Sequence, residues 1–258
     1  MKILVRIILI TTITLVFSTS SQATNKIITI SSGEWPPFVS EKLKYHGVAA
    51  RIISESFALQ NIEVKYTWFP WKRSYNNIKM GYSDASAVWA VTEKRSKEML
   101  FSDPVINNVI VLFFNNKKFS NWKSYDDLSG LIIGATNGYF NGDEFEKAEK
   151  NGLITVERTS IESNNFKKLL ANRIDAVVAE IDVGYDILNR ISAAEQIKSI
   201  VVSPKKVASF TTHLITSKKL DNGDDIIEKF NKGLKQLVDT GKLDQYIMES
   251  RNGLYQIN

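Results

Sequence analysis

Arg95 follows the apolar run Ala85-Ser-Ala-Val-Trp-Ala-Val91, which has the length and composition of a buried strand. That places a guanidinium at a strand's carboxyl end, where its planar fork of donors suits a carboxylate better than a lysine would. Gly138-Tyr139-Phe140 separates the strand-like Leu131–Ala135 from the charged helical stretch Asp143–Lys150. Backbone N–H groups at such a helix entrance attract anions, and the same residues also serve as a plain turn. Trp35 precedes two prolines and Trp71 is flanked by Pro70 and Lys72. Neither lies in an apolar run, so both are candidates to sandwich a ligand or cover a cation. Arg73 is a second candidate donor, Trp89 a bulky pocket aromatic, and Glu180 an acid ending the run Asp175–Glu180. Asp84 and Asp175 each open a strand and read as structural.

Other chemistries are poorly supplied. His46 and His213 are isolated and there is no cysteine, so no metal set is expected. No nucleophile stands beside a base, no phosphate loop is present, and no cofactor is expected. The formal charge is +5, with acids and bases interspersed as in Glu144-Phe-Glu-Lys147, which gives no nucleic-acid footprint.

The first residues read as an address. Lys2 and Arg6 form a basic head, Ile7–Phe17 is almost wholly apolar, and Ser21-Gln-Ala23 fits a cleavage site. The run falls well short of the ~20 residues that span a bilayer. Residues 1–23 are therefore expected to be a signal peptide, cut before Thr24, and the mature protein to reside in the periplasm. Without cysteine it carries neither a lipid anchor at that site nor a disulfide.

The candidates are carried on alternating elements. Lys26–Ile30 and Ile62–Phe69 read as strands, Val48–Leu59 and Trp71–Met80 as helices, and Val109–Phe114 as a buried strand. Ile154–Thr159, Asn164–Asn172, Ile174–Glu180, Val183–Ile191 and Ile197–Val202 continue as strand, helix, strand, helix, strand, before a strand at Ser209–Ser217 and a terminal helix. Such alternation predicts parallel sheets flanked by helices, with ligands bound outside the strands' carboxyl ends. No linker divides the chain, so two lobes are expected to share more than one crossing: residues 24–107 with 210–258, and 108–209.

Several stretches occur together in order: Trp35-Pro-Pro-Phe38, Trp71-Lys-Arg73, Thr92-Glu-Lys-Arg95 with Phe101-Ser-Asp-Pro104, Ile133-Gly134 leading to Gly138-Tyr139, Asn172-Arg-Ile-Asp-Ala176, and Gly241-Lys-Leu-Asp-Gln-Tyr246. In these the chain resembles the bacterial extracellular solute-binding proteins, family 3, which serve polar amino-acid uptake. The resemblance implies a two-lobed periplasmic-binding-protein fold of type II. It also implies a monomer that closes on an amino acid or related carboxylate and hands it to an inner-membrane ABC permease or to a sensor. It puts the carboxylate-binding arginine at Arg95, the far side of that carboxylate at Gly138, Tyr139 and Phe140, and the ammonium-binding acid at Glu180. The chain departs from the family at Val88 and Ala90, where serine, threonine or glycine is usual, and Trp89 lies between them. No turnover is expected; the alternative is an enzyme like the periplasmic cyclohexadienyl dehydratases, with Glu180 as proton donor.

Overall fold

A computed structural model describes residues 26–115 and 121–256; the predicted leader lies outside them. The first elements are β1 (Lys26–Ser32), α1 (Val48–Ala58), β2 (Ile62–Trp68), α2 (Trp71–Lys79), β3 (Ala85–Ala90) and α3 (Glu93–Glu98). The long strand β4 (Met99–Phe114) leads to β5 (Ile132–Thr136), α4 (Asp143–Lys150), β6 (Thr155–Thr159), α5 (Glu162–Leu170), β7 (Ala176–Glu180) and α6 (Ile181–Ile191). The chain returns through α7 (Ala194–Ile197), β8 (Val201–Val202) and β9 (Ala208–Ser217), and closes with α8 (Gly223–Asp239) and α9 (Lys242–Arg251).

The strands are hydrogen-bonded in the order β2-β1-β3-β9-β4-β7-β5-β6, with β8 alongside β4. β1, β2 and β3 are parallel to one another, and so are β5, β6 and β7. What joins the two sets is the antiparallel pair β4–β9, paired from Met99↔Ser217 to Ile110↔Ala208 with shifts of register on either side of Pro104. Two α/β lobes are thus connected by two crossing strands. The register fixes where the parallel strands point. Ala90, the end of β3, pairs with Thr212, and Glu180, the end of β7, pairs with Ile110. The carboxyl ends of β1–β3 and of β5–β7 therefore all face the crossing. This is the geometry in which an α/β protein holds a ligand.

Side chains alternate across β4, as a strand requires. Val111 and Phe113 enter a core shared by α1, α5, α6 and α8, which runs through both lobes. Ile110, Leu112 and Phe114 enter a separate cluster with Phe145 of α4. On that same side of the first lobe, Ile78 of α2 packs with Trp89, Met99 and Ile215 in a third cluster. One face of the molecule is thus welded across the lobes, while on the other each lobe has its own small core.

The crossing strand begins ten residues before the predicted Val109. Pro104 hides this in the sequence, but the pairing with β9 shifts register on both sides of it, and a proline is tolerated where a ladder is already broken. The helix α3 was unforeseen because it carries no buried residue; the Thr92 hydroxyl caps it by accepting from the Arg95 N–H at 3.2 Å. The expected strand at Ile197–Val202 shrinks to Val201–Val202, because the Ile197 N–H bonds back to the Ala193 carbonyl and closes a helical turn. Asp84 and Asp175 brace strand starts: each accepts from a neighbouring strand's backbone, Thr29 at 2.7 Å and Ile132 at 2.8 Å.

Candidate functional site

The strand ends of the first lobe bring Trp71, Trp89 and Arg95 into one contact group. Between Ser86 and Trp89 the pairing of β3 with β9 is bulged, and Val88 takes a left-handed backbone at φ 56°. A β-branched residue there is strained, and a bulge re-aims the side chain that follows. The Trp89 ring points inward, 8% exposed, where its Nε1 donates to the Ser86 hydroxyl at 2.7 Å. Trp71 meets it edge-on at 5.4 Å and Tyr75 at 5.3 Å. Trp89, a candidate pocket aromatic, thus lies buried beneath Arg95.

The Arg95 guanidinium lies 4.7 Å from the Trp89 ring and donates to the Ala90 carbonyl at 2.8 Å. It is half-buried, and desolvation lowers its pKa from the ordinary arginine value. Among the described residues no carboxylate is paired with it. An arginine oriented by a ring and a carbonyl, partly desolvated and without a counter-ion, is prepared for an external anion. Trp71 opens α2 against Gly33, where a Cβ would collide with the indole. Trp35, in the loop after β1, packs 4.8 Å from Phe38, and its indole N–H is buried without a partner. Arg73 stands apart, its guanidinium over the Phe69 ring at 4.7 Å.

In the second lobe two of the predicted groups, the Tyr139 N–H and the Glu180 carboxyl, already have protein partners. The Tyr139 N–H donates to the Thr136 carbonyl at 3.2 Å, so it closes the turn at Gly138 (φ 79°). The helix entrance that follows carries Asp143, Glu144 and Glu146, which already answer its dipole. The Tyr139 N–H is thus taken by this turn, and the Tyr139 and Phe140 rings are exposed, Phe140 by 60%. Val91 and Ile161, at the ends of β3 and β6, are exposed too, so the strand ends present an apolar lining. Glu180 is only 4% exposed. Its carboxylate accepts from the Val183 N–H at 2.9 Å and the Val109 N–H at 3.4 Å, capping α6 and bracing the crossing strand. Burial pushes its pKa up to about 8.

Four residues at these ends escaped the sequence reading. Thr136 ends β5 and Asn141 lies in the loop beyond it; the Thr136 hydroxyl and the Asn141 side-chain nitrogen are buried without partners. Gly142 (φ 104°) seats this loop on the second crossing, where a Cβ would stand 2.7 Å from that of Ala208. Glu162 opens α5 at the end of β6, half-buried, and desolvation lifts its pKa to about 7 against the opposing charge of Arg190. No pattern marks a polar side chain that folding leaves unpaired. Glu162 was hidden because the helix was expected to begin at Asn164.

The chain is 26% identical over 159 residues to the arginine-binding extracellular protein ArtP of Bacillus subtilis, covering 60% of this chain and 57% of that protein. Its fold is shared with the second substrate-binding domain of a putative amino acid ABC transporter from Streptococcus pneumoniae (TM-score 0.67, 20% identity, 87% of this chain and 99% of that one). It is shared as well with the GluR0 ligand-binding core of Nostoc punctiforme (TM-score 0.64, 19% identity, 85% and 96%). Residues 27–249 match the model of the bacterial extracellular solute-binding proteins, family 3, and the chain belongs to that family.

Proposed function

We propose that the protein is a periplasmic solute-binding protein that captures a small amino-acid-like or carboxylate ligand between its lobes and delivers it to an inner-membrane ABC transporter. The observation that carries this reading is the convergence of six parallel strand ends on the β4–β9 crossing, with the half-buried, unpaired Arg95 among them. The lobes are residues 24–107 with 210–258, and 108–209. Ligand held by Arg95 on one side and by the β5–α4 loop on the other touches both lobes only when they close, so binding selects the closed state. The leader 1–23 is removed on export, and the protein acts as a monomer without turnover. A dehydratase would need Glu180 free to give its proton to a leaving group. Its two oxygens accept backbone N–H groups instead, which favours the binding reading.

A thermal-shift screen over amino acids, small carboxylates and amines tests the proposal. Ligand at ~100 Kd adds about 2.7 kcal/mol to the stability of the bound form. The expected result is a clear upward shift with at least one carboxylate, absent in Arg95→Ala. A screen in which only ligands lacking a carboxylate bind would contradict it. Intact mass of periplasmic protein checks the leader, and the product is expected to begin at Thr24.

A further inference from the structure

The last turn of α9 reaches the first turn of α6. Arg251 donates through Nε and Nη2 to the two carboxylate oxygens of Asp182, at 2.9 and 3.0 Å, a fork meeting a fork. Each charge sits at the helix end whose dipole favours it, the base at the carboxyl end of α9 and the acid at the amino end of α6. Further along the tail, the Gln256 amide donates to Asp186 of α6 at 3.0 Å. Asp186 is buried and is held from its own helix by Arg190. The segment that carries these donors is fixed on its other side. Tyr246 and Tyr255 are buried in the core that holds α1. The Tyr255 hydroxyl accepts from Arg51 at 2.8 Å, and the Tyr255 carbonyl accepts from the Lys44 N–H at 2.9 Å. On the lobe division proposed above, α9 and its tail belong to the first lobe and α6 to the second. Among the described residues no other ion pair spans that division.

Between α6 and α9 lies a groove of about 1080 Å³, floored by Pro104, Val105 and Ile106 of the crossing strand and walled by Tyr185, Leu243 and Ile247. The two polar contacts therefore span an opening and not a packed seam. The strand-end residues Val91, Phe140 and Ile161, drawn from both lobes, are more than half exposed, so the lobes stand apart in this structure. Resting on the binding reading above, we infer that residues 251–256 are a strap that ties the second lobe in this open position. Val183 and Ile187 fix α6 in the core, as Tyr246 and Tyr255 fix α9 and its tail. Neither partner can follow the other when the lobes swing together, and a hydrogen bond weakens steeply once its length and angle are lost. Breaking the strap therefore raises the fraction of closed chains, and the apparent affinity for ligand follows that fraction. Arg251 is 52% exposed, so the pair is weak, and the expected change is about two- to fivefold. The strap is thus a device that tempers capture and favours release.

The distance between the lobes in the unliganded mature chain tests the strap. The sequence holds no cysteine, so Asn76→Cys on α2 and Lys147→Cys on α4, both exposed, take a pair of spin labels cleanly. These helices start at strand ends of the two lobes, and the distance between them shortens as the lobes close. Double electron–electron resonance is read in this background and with Asp182→Asn, Arg251→Gln, both together, and Gln256→Ala. Each single change of the ion pair is expected to enlarge the short-distance fraction about two- to fivefold. The combined variant is expected to add nothing further, because either change already opens the fork. Gln256→Ala is expected to act in the same direction and more weakly, and Arg251→Lys to restore part of the open fraction. Melting of each variant shows separately that the fold is kept. Distance distributions identical throughout would overturn the strap. A smaller short-distance fraction would overturn it as well, since the contacts would then hold the closed form. No ligand is present in this measurement, so the strap can fail while the binding screen succeeds, and the screen can fail while the strap stands.

Discussion

Arg95 is the side chain whose removal is most informative. A charge-assisted hydrogen bond to a desolvated carboxylate contributes about 1.5–3 kcal/mol, and each 1.4 kcal/mol is roughly tenfold in affinity. Arg95→Ala is expected to weaken a carboxylate ligand at least ~100-fold by calorimetry. Arg95→Lys is expected to recover only part of this, because a point charge neither forks nor lies flat on Trp89. Glu180 has a different signature. Its pKa is about 8 in the folded protein, against 4.5 for an ordinary glutamate, so the unfolded chain gives up this proton first as pH rises. The stability it contributes is complete below pH 4.5 and is lost as pH climbs towards 8. Glu162, lifted to about 7, acts in the same direction. Melting temperatures of the wild type are therefore expected to fall between pH 5 and pH 8. In Glu180→Gln, which still offers an acceptor to Val183, the fall is expected to be shallower but not abolished. An unchanged slope would mean the carboxyl ionises freely. Arg95 and Glu180 were both visible as chemistry in the sequence; only the structure tells that the Glu180 carboxyl is already engaged.

At the scale of elements, α1 and α8 meet so closely that Gly233 has no room for a side chain: its Cβ would run into the Ser56 backbone. Phe57 and Phe230 flank the contact, with ring centroids 5.4 Å apart. Overpacking of this kind costs about 1–3 kcal/mol, and roughly 2–4 °C of melting temperature goes with each kcal/mol in a chain of this size. Gly233→Ala is therefore expected to melt several degrees lower, read by circular dichroism, without altering which ligand is preferred. Most of these elements were legible, since Ile28 and Ile30, or Phe230, Leu234 and Leu237, repeat at the period of the structure they form. Two features were not. Pro104 broke the apparent strand although β4 runs through it, since the break in pairing lies in the partner register and leaves no local signal. The bulge at Val88 likewise arises from how β3 meets β9, so no local pattern showed that the backbone turns Trp89 inward.

The whole molecule was legible in its class and its two crossings, because alternation of strand and helix without a linker leaves few ways to fold. What sequence does not encode locally is which polar groups end up buried without partners, and so Thr136 and Asn141 emerged only with the fold. The core that passes from α1 and α8 through β4 into α5 and α6 has a further consequence, for unfolding. Ile28, Phe57 and Phe230 belong to the same packed body as Phe113, Phe166 and Ile187. Neither lobe can shed its side of that body without uncovering apolar surface on the other, so the lobes are expected to melt as one unit. Scanning calorimetry of the unliganded protein is expected to give a single endotherm whose van't Hoff and calorimetric enthalpies agree. Two separable transitions would show that the lobes are independent folding domains. By the same reasoning the segment 108–209, expressed alone, would keep the α4 cluster but expose Phe113, Phe166 and Ile187, and is expected to aggregate instead of folding as a free-standing domain. The crossing is thus expected to hold the lobes together as one cooperative unit and not to be a seam along which they come apart.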